Sequence, residues 1–282
     1  PGVWATKDGG GYGDAKINMR GFKTENIAAL INGIPVNDME WGGLYWSNWA
    51  GLSDVTASMQ TQRGLGAAIV SVPSVGGTIN ITTKTLDVKR GGNVFYGMGN
   101  DGLNQIGFSV STGLMKNGWA ITLLGSRKWG DGYIQGTNFN AYTYFLNISK
   151  RINDHHQISL TAFGSPQTHY KRSSQDGLSI EGWQGVKNYM DGESMYKYNP
   201  TFGYGLDGQV RSSNKNVYHK PQISLNHIWQ INHRSSLSSA LYVSLASGYG
   251  SSGQGRGTYN GQSLSNTSWY GATNGVLNTL FR

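Results

Sequence analysis

Between residues 236 and 249 the chain alternates with a period of two. Leu237, Ser239, Leu241, Val243, Leu245, Ser247 and Tyr249 fall on one side of an extended backbone, and Ser238, Ala240, Tyr242, Ser244, Ala246 and Gly248 on the other. Successive side chains of a strand point to opposite faces, so this pattern sets a greasy surface against a small, polar one. Similar units recur from residue 139 onward, separated alternately by short Asn-rich turns and by long segments rich in Gly, Tyr and Ser. In a soluble protein the greasy face would be a core. Here strands of membrane-spanning length follow one another with unequal connections, the mark of a transmembrane β-barrel.

Composition agrees. Charged residues make up 13 % of the chain, against roughly 25 % in typical globular proteins. No run of eighteen apolar residues occurs, which rules out a membrane helix, and a barrel spreads its hydrophobicity over alternating positions instead. The chain has no cysteine, so neither disulfides nor thiolate metal sites can form. The formal charge of +8 comes from Lys and Arg scattered singly, without the dense basic stripe that nucleic-acid binding requires. Lys116, Lys150, Arg151 and Arg234 stand near strand ends, where anionic lipid head groups would meet them. The chain opens at Pro1 without an initiator Met or a signal sequence, so both ends read as cut.

Seven strands are expected, at 93–99, 105–115, 119–129, 139–152, 156–167, 217–231 and 236–249. Tight turns at 116–118, 153–155 and 232–235 face longer links at 130–138 and 168–216, matching the periplasmic and extracellular rims of a barrel. Seven strands leave open edges that hydrocarbon does not tolerate, so most of the barrel is expected beyond Arg282. Residues 1–90 differ. The segment ENIAALINGIPV at 25–36 reads as strand, tight turn, strand, and 55–63 and 77–84 as further short strands, giving a small mixed α/β domain.

Four pieces of that first domain carry a resemblance: INMRGF at 17–22, ALINGIPV at 29–36, MQTQRG at 59–64 and VGGTINITTK at 75–84. In this order, and followed directly by barrel strands, they resemble the plug domain of TonB-dependent outer-membrane receptors, in the style of the Bacteroidetes type. The resemblance implies a large antiparallel transmembrane β-barrel, seen here from residue 91 to 282, with the later part of the plug, 1–90, inside its lumen. It also implies active import of a nutrient ligand, bound above the plug, with plug movement driven by the TonB complex of the inner membrane. Outer-membrane lipid and lipopolysaccharide would surround the wall. A surface lipoprotein lid would be compatible, although no residue here points to one.

Arg20 and Arg63, each followed by Gly, would present fixed bidentate donors in a water-filled lumen. The resemblance implies that they latch the plug to wall carboxylates; ordinary salt bridges within the plug are the alternative. The segment NDMEWGGLYWSNWA at 37–50 concentrates Trp41, Tyr45, Trp46 and Trp49. Such rings suit a site for sugars, siderophores or peptides, or equally the packing of plug against wall. The long loop with Trp183, Tyr189, Tyr196, Tyr198, Phe202 and Tyr204 is a second candidate surface. The six histidines show no metal-ligand spacing. No catalytic residue, metal ligand or cofactor is therefore assigned. Two rivals stay open: a passive porin or adhesin barrel, and a soluble β-rich enzyme, for which Glu25, Glu40, Glu181 and Glu193 supply no paired carboxylates.

Overall fold

The computed structural model describes residues 2–7, 12–13, 15–64, 74–86, 88–172, 180–199, 202–204, 210–212, 214–251, 257–259 and 262–264. Near the start, β1 (Val3–Lys7) and β2 (Ala15–Met19) form an antiparallel pair. The apolar run IAALI then makes β3 (Ile27–Ile31), buried at every position. Asn32 and Gly33 turn it back into β4 (Ile34–Pro35), both with positive φ, 53° and 79°, which is the hairpin turn that an Asn-Gly pair favours. After the short helix α1 (Leu52–Val55), β5 (Thr56–Arg63) and β6 (Gly77–Thr83) complete a four-stranded sheet in the order β4-β3-β6-β5. Strand β6 runs parallel to β3 and antiparallel to β5. Gly77 has to be glycine, because its φ is 139° and a Cβ there would collide with the Gln62 carbonyl and the Met19 sulfur.

A second sheet begins with β7 (Gly91–Met98), β8 (Asn104–Ser111), β9 (Trp119–Gly130) and β10 (Phe139–Arg151), each antiparallel to the next. β10 is 13 residues long, more than the about 9–11 that a tilted transmembrane strand needs. β11 (His156–Gly164) and β12 (Gln167–Tyr170) both pair with β10 in one continuous register, Tyr144 opposite Gly164 and Ala141 opposite Gln167. They are one strand interrupted at Ser165 and Pro166, since proline has no N–H for the ladder.

The loop that follows carries helix α2 (Ile180–Val186) and a small hairpin of β13 (Phe202–Tyr204) and β14 (Val210–Ser212). The next crossing is β15 (Lys215–His219) and β16 (Gln222–Asn232), broken at Lys220 and Pro221, and the last is β17 (Ser235–Ser244) and β18 (Ser247–Ser251). Again the register carries through, Gln222 opposite Ser244 and His219 opposite Ser247. A final short pair joins β19 (Gly257–Tyr259) to β20 (Gln262–Leu264). With the interrupted strands joined, the described residues cross this sheet seven times as a meander, at the positions the alternation marks out. The turns at one rim are short, as expected, while the other rim holds the long loops and one tight turn between β7 and β8.

The two faces of the meander differ in chemistry. Asn147, Ser149, Ser159, Thr161 and Ser224 are buried on the inner face. They satisfy one another: Asn147 donates to Thr161 Oγ1 at 2.9 Å, and Ser149 donates to Asn147 Oδ1 at 2.7 Å. Ile121, Leu123, Leu160, Ile223, Leu225, Leu241 and Val243 are exposed on the outer face, and Leu146, Ile148 and Ile158, on the same face, are half-buried between neighbouring strands. Along the rims Arg127 lies over Trp129 and Tyr142, with ring centroids at 4.6 and 5.4 Å, and Lys150 lies 4.9 Å from the Trp119 ring. This is the aromatic and basic border expected where hydrocarbon gives way to head groups.

Candidate functional site

The aromatic segment after β4 is built on Asn37. Its Oδ1 accepts from Ala29 N at 2.8 Å, while its Nδ2 donates to the Ile27 and Gly42 carbonyls at 2.9 and 2.8 Å. One side chain thus fixes the segment to the buried strand β3. Asp38 then closes a tight loop, Oδ1 accepting from Trp41 N at 2.8 Å and Glu40 N at 3.1 Å. The loop pushes Met39 fully into the open and leaves Trp41 and Tyr45 more than two-fifths exposed. Their rings meet at 5.0 Å and 41°. The Trp41 indole lies across Gly43, where a Cβ would strike the ring.

The other two rings behave differently. Trp49 is 4 % exposed and stacks on Phe163 of the wall, centroids 5.7 Å apart and planes 14° apart. Trp46 packs half-buried against the same core, and its Nε1 is buried without a hydrogen-bond partner among the described residues. The quartet Trp41, Tyr45, Trp46 and Trp49 therefore splits into an exposed pair and a pair packed on the apolar core, of which Trp49 reaches the meander.

Phe163 is one of three wall residues, with Leu124 and Phe145, that join the apolar core of the four-stranded sheet beside Trp49, Leu52, Val55, Ile79 and Ile81. Polar contacts cross the same seam. Thr143 donates to the Ala50 carbonyl at 3.0 Å, and Asn226 Nδ2 donates to the Asn32 carbonyl at 3.2 Å. Gly51, at φ 77°, passes so close to Thr143 that no Cβ fits. Sequence reasoning did not single out Leu124, Thr143, Phe145 or Phe163 as plug contacts. Their parity was the available signal, because Phe145 shares the inward face with Asn147 and Ser149, where a phenyl ring has no reason to sit unless something apolar meets it.

Arg20, in the turn after β2, and Arg63, at the end of β5, are brought together around Gly2. Arg20 and Gly21, with φ of 53° and 85°, form a tight turn closed by reciprocal hydrogen bonds between Met19 and Phe22 at 2.9 and 3.0 Å. Arg63 ends β5, which is exposed along most of its length. Both arginine side chains flank Gly2, and Arg20 Nη1 reaches toward Gly64.

In the long loop, Val186, Met190 and Tyr198 form a separate buried cluster, with Trp183 and Met195 packed on it. Arg172 stabilises it from the strand end, donating to the Tyr196 and Tyr198 carbonyls at 3.1 and 2.9 Å with its guanidinium 5.5 Å from the Trp183 ring. Burial lowers the pKa of that guanidinium from its usual value. Tyr196 is exposed and Tyr198 fully buried. Phe202 packs over Gly136. The side chains of Tyr189 and Tyr204 lie outside the described residues. Among the described residues no three His, Asp or Glu side chains converge.

No family model matches this chain. Among curated proteins it is similar to the vitamin B12 transporter BtuB of Photobacterium profundum, 26 % identical over 174 residues that cover 58 % of this chain and 28 % of that protein. A probable TonB-dependent siderophore receptor, PirA of Acinetobacter baumannii, is 29 % identical over 126 residues, 39 % of this chain and 17 % of that one. Among solved structures, the unliganded ferric citrate transporter FecA superposes with a TM-score of 0.65 at 16 % identity, covering 91 % of this chain and 37 % of that chain. The chain thus spans less than a third of the curated relatives' length. These likenesses support the general receptor type and its fold, not the narrower Bacteroidetes style.

Proposed function

We propose that this chain, a stretch of plug and barrel wall of the TonB-dependent outer-membrane receptor type, serves the active import of a nutrient ligand across the bacterial outer membrane. The plug comprises residues 1–90 and the wall residues 91–282. The observation that carries the reading is the seam. A small sheet domain lies on the polar inner face of a meander whose outer face is apolar, joined to it by the Trp49–Phe163 stack and by hydrogen bonds from Thr143, Asn226 and Gln105. A passive pore has no need of such a domain. Hydrocarbon does not tolerate the open sheet edges, so further strands close the wall.

In this reading the ligand rests above the plug against Trp41 and Tyr45, whose exposed faces offer a platform for an aromatic, sugar or macrocyclic surface. Trp46 and Trp49, packed into the core behind that pair, position the segment. Arg20 and Arg63 latch the plug through carboxylates on strands outside this chain, and the TonB complex of the inner membrane drives plug movement. Lipid and lipopolysaccharide bathe the outer stripe. Transport, not catalysis, is the activity.

Uptake by the full-length receptor tests this directly. In cells with the receptor as the sole importer, one of a panel containing radiolabelled cobalamin, ferric citrate and ferric siderophores accumulates when TonB is present and stays outside when it is deleted. Equal accumulation with and without TonB would instead mark a passive pore.

A further inference from the structure

We propose that His156 and His227 form a binding site for a divalent transition-metal cation on the outer face of the wall, at its short-turn rim. The two residues are 71 positions apart, so no sequence spacing links them. The register brings them together: in the β11–β16 pair, His156 stands opposite Trp229 and Ile158 opposite His227, which makes the histidines diagonal neighbours on the face they share with Leu160 and Leu225. His156 Nδ1 lies 3.1 Å from His227 Nε2, and the rings are within 4° of parallel with centroids 5.3 Å apart. Trp229 packs along His156 at 5.4 Å and 21°, limiting the rotation of that ring.

Two imidazole nitrogens bound to one tetrahedral zinc ion, each at about 2.0–2.1 Å, stand about 3.3 Å apart. The observed separation is within a few tenths of that value, so occupancy needs a tautomer shift and a rotation of the two rings that turns both lone pairs toward the ion. The present hydrogen bond puts a proton on one of the two facing nitrogens; the cation takes its place once that proton moves to the other nitrogen of the same ring. A third protein ligand is absent among the described residues, so water completes the coordination sphere. An imidazole-only set selects Cu(II), Ni(II) or Zn(II) over Mg(II) and Ca(II), with Cu(II) the tightest. Neighbouring His155 does not contribute, because its Nδ1 faces the Gln230 carbonyl at 2.8 Å. A bound ion would tie β11 to β16 where the wall turns.

The test is a titration of the full-length protein in detergent micelles with copper(II) chloride, followed by electron paramagnetic resonance and by quenching of tryptophan fluorescence. The wild type should bind one copper with hyperfine structure from two nitrogens. His156→Ala and His227→Ala should each raise the midpoint at least tenfold and abolish the two-nitrogen pattern, while His155→Ala leaves both unchanged. Trp229→Phe should reduce the quenching without moving the midpoint. His227→Gln, which keeps the side chain's bulk and polarity, separates loss of a ligand from misfolding. A wild-type spectrum without two-nitrogen hyperfine, an unchanged midpoint in folded His227→Gln, or an equal loss in His155→Ala would each overturn the proposal.

Discussion

Gly51 and Gly21 both have positive φ, 77° and 85°, but only Gly51 faces a neighbour, Thr143 of the wall. Gly21→Ala should therefore cost about 1–2 kcal/mol from the left-handed backbone alone. Gly51→Ala should cost about 1–3 kcal/mol more because the seam must open to admit the methyl group, a ranking that urea unfolding of the full-length protein would read. The tryptophans divide in the same way. Trp49→Ala should lower stability by about 3–5 kcal/mol, the usual cost of removing a buried ring. Trp41→Ala should leave the unfolding midpoint nearly unchanged and weaken binding of the transported ligand by about 1–2 kcal/mol, as truncating an exposed aromatic anchor does. Calorimetric titration measures the second effect. If both variants altered stability alone, the exposed pair would have no part in the site.

Strand faces were legible in the sequence because period-two alternation is a local property: Leu241 and Val243 announce one side, Ser159 and Thr161 the other. Placing arginine at Leu241 should cost about 2–4 kcal/mol near the bilayer midplane, and reversible unfolding in lipid vesicles would show it. The breaks at Pro166 and Pro221 are not legible in the side-chain pattern, because parity runs through them undisturbed; each proline carbonyl still accepts across the ladder, from Tyr142 N and Leu245 N, and only the N–H is lost. Nor was the small core of the long loop. Its cohesion comes from Arg172 reaching the Tyr196 and Tyr198 carbonyls, a contact between residues too far apart for any pattern. Arg172→Ala should speed proteolysis within 180–199 while the wall unfolds as before, and limited digestion followed by mass spectrometry would show whether the two respond separately.

At the scale of the molecule, the plug resemblance rests on four short motifs, and the structure shows how they pack together. Asn32 holds the β3–β4 turn against β6 by accepting from Thr83 N at 2.9 Å, and Gly77 lets β6 lie over Met19. The seam itself could not be read locally, because it joins residues such as Ala50 and Thr143, which are 93 positions apart. The whole account depends on lipid lying against one face of the meander and the plug against the other. Spin labels at consecutive positions 158–161 of the full-length protein in lipid vesicles measure this most directly. The account predicts high oxygen accessibility at Ile158 and Leu160 and low accessibility to both oxygen and polar nickel chelates at Ser159 and Thr161. Nickel chelate reaching Leu160 as readily as oxygen, or no alternation at all, would contradict it.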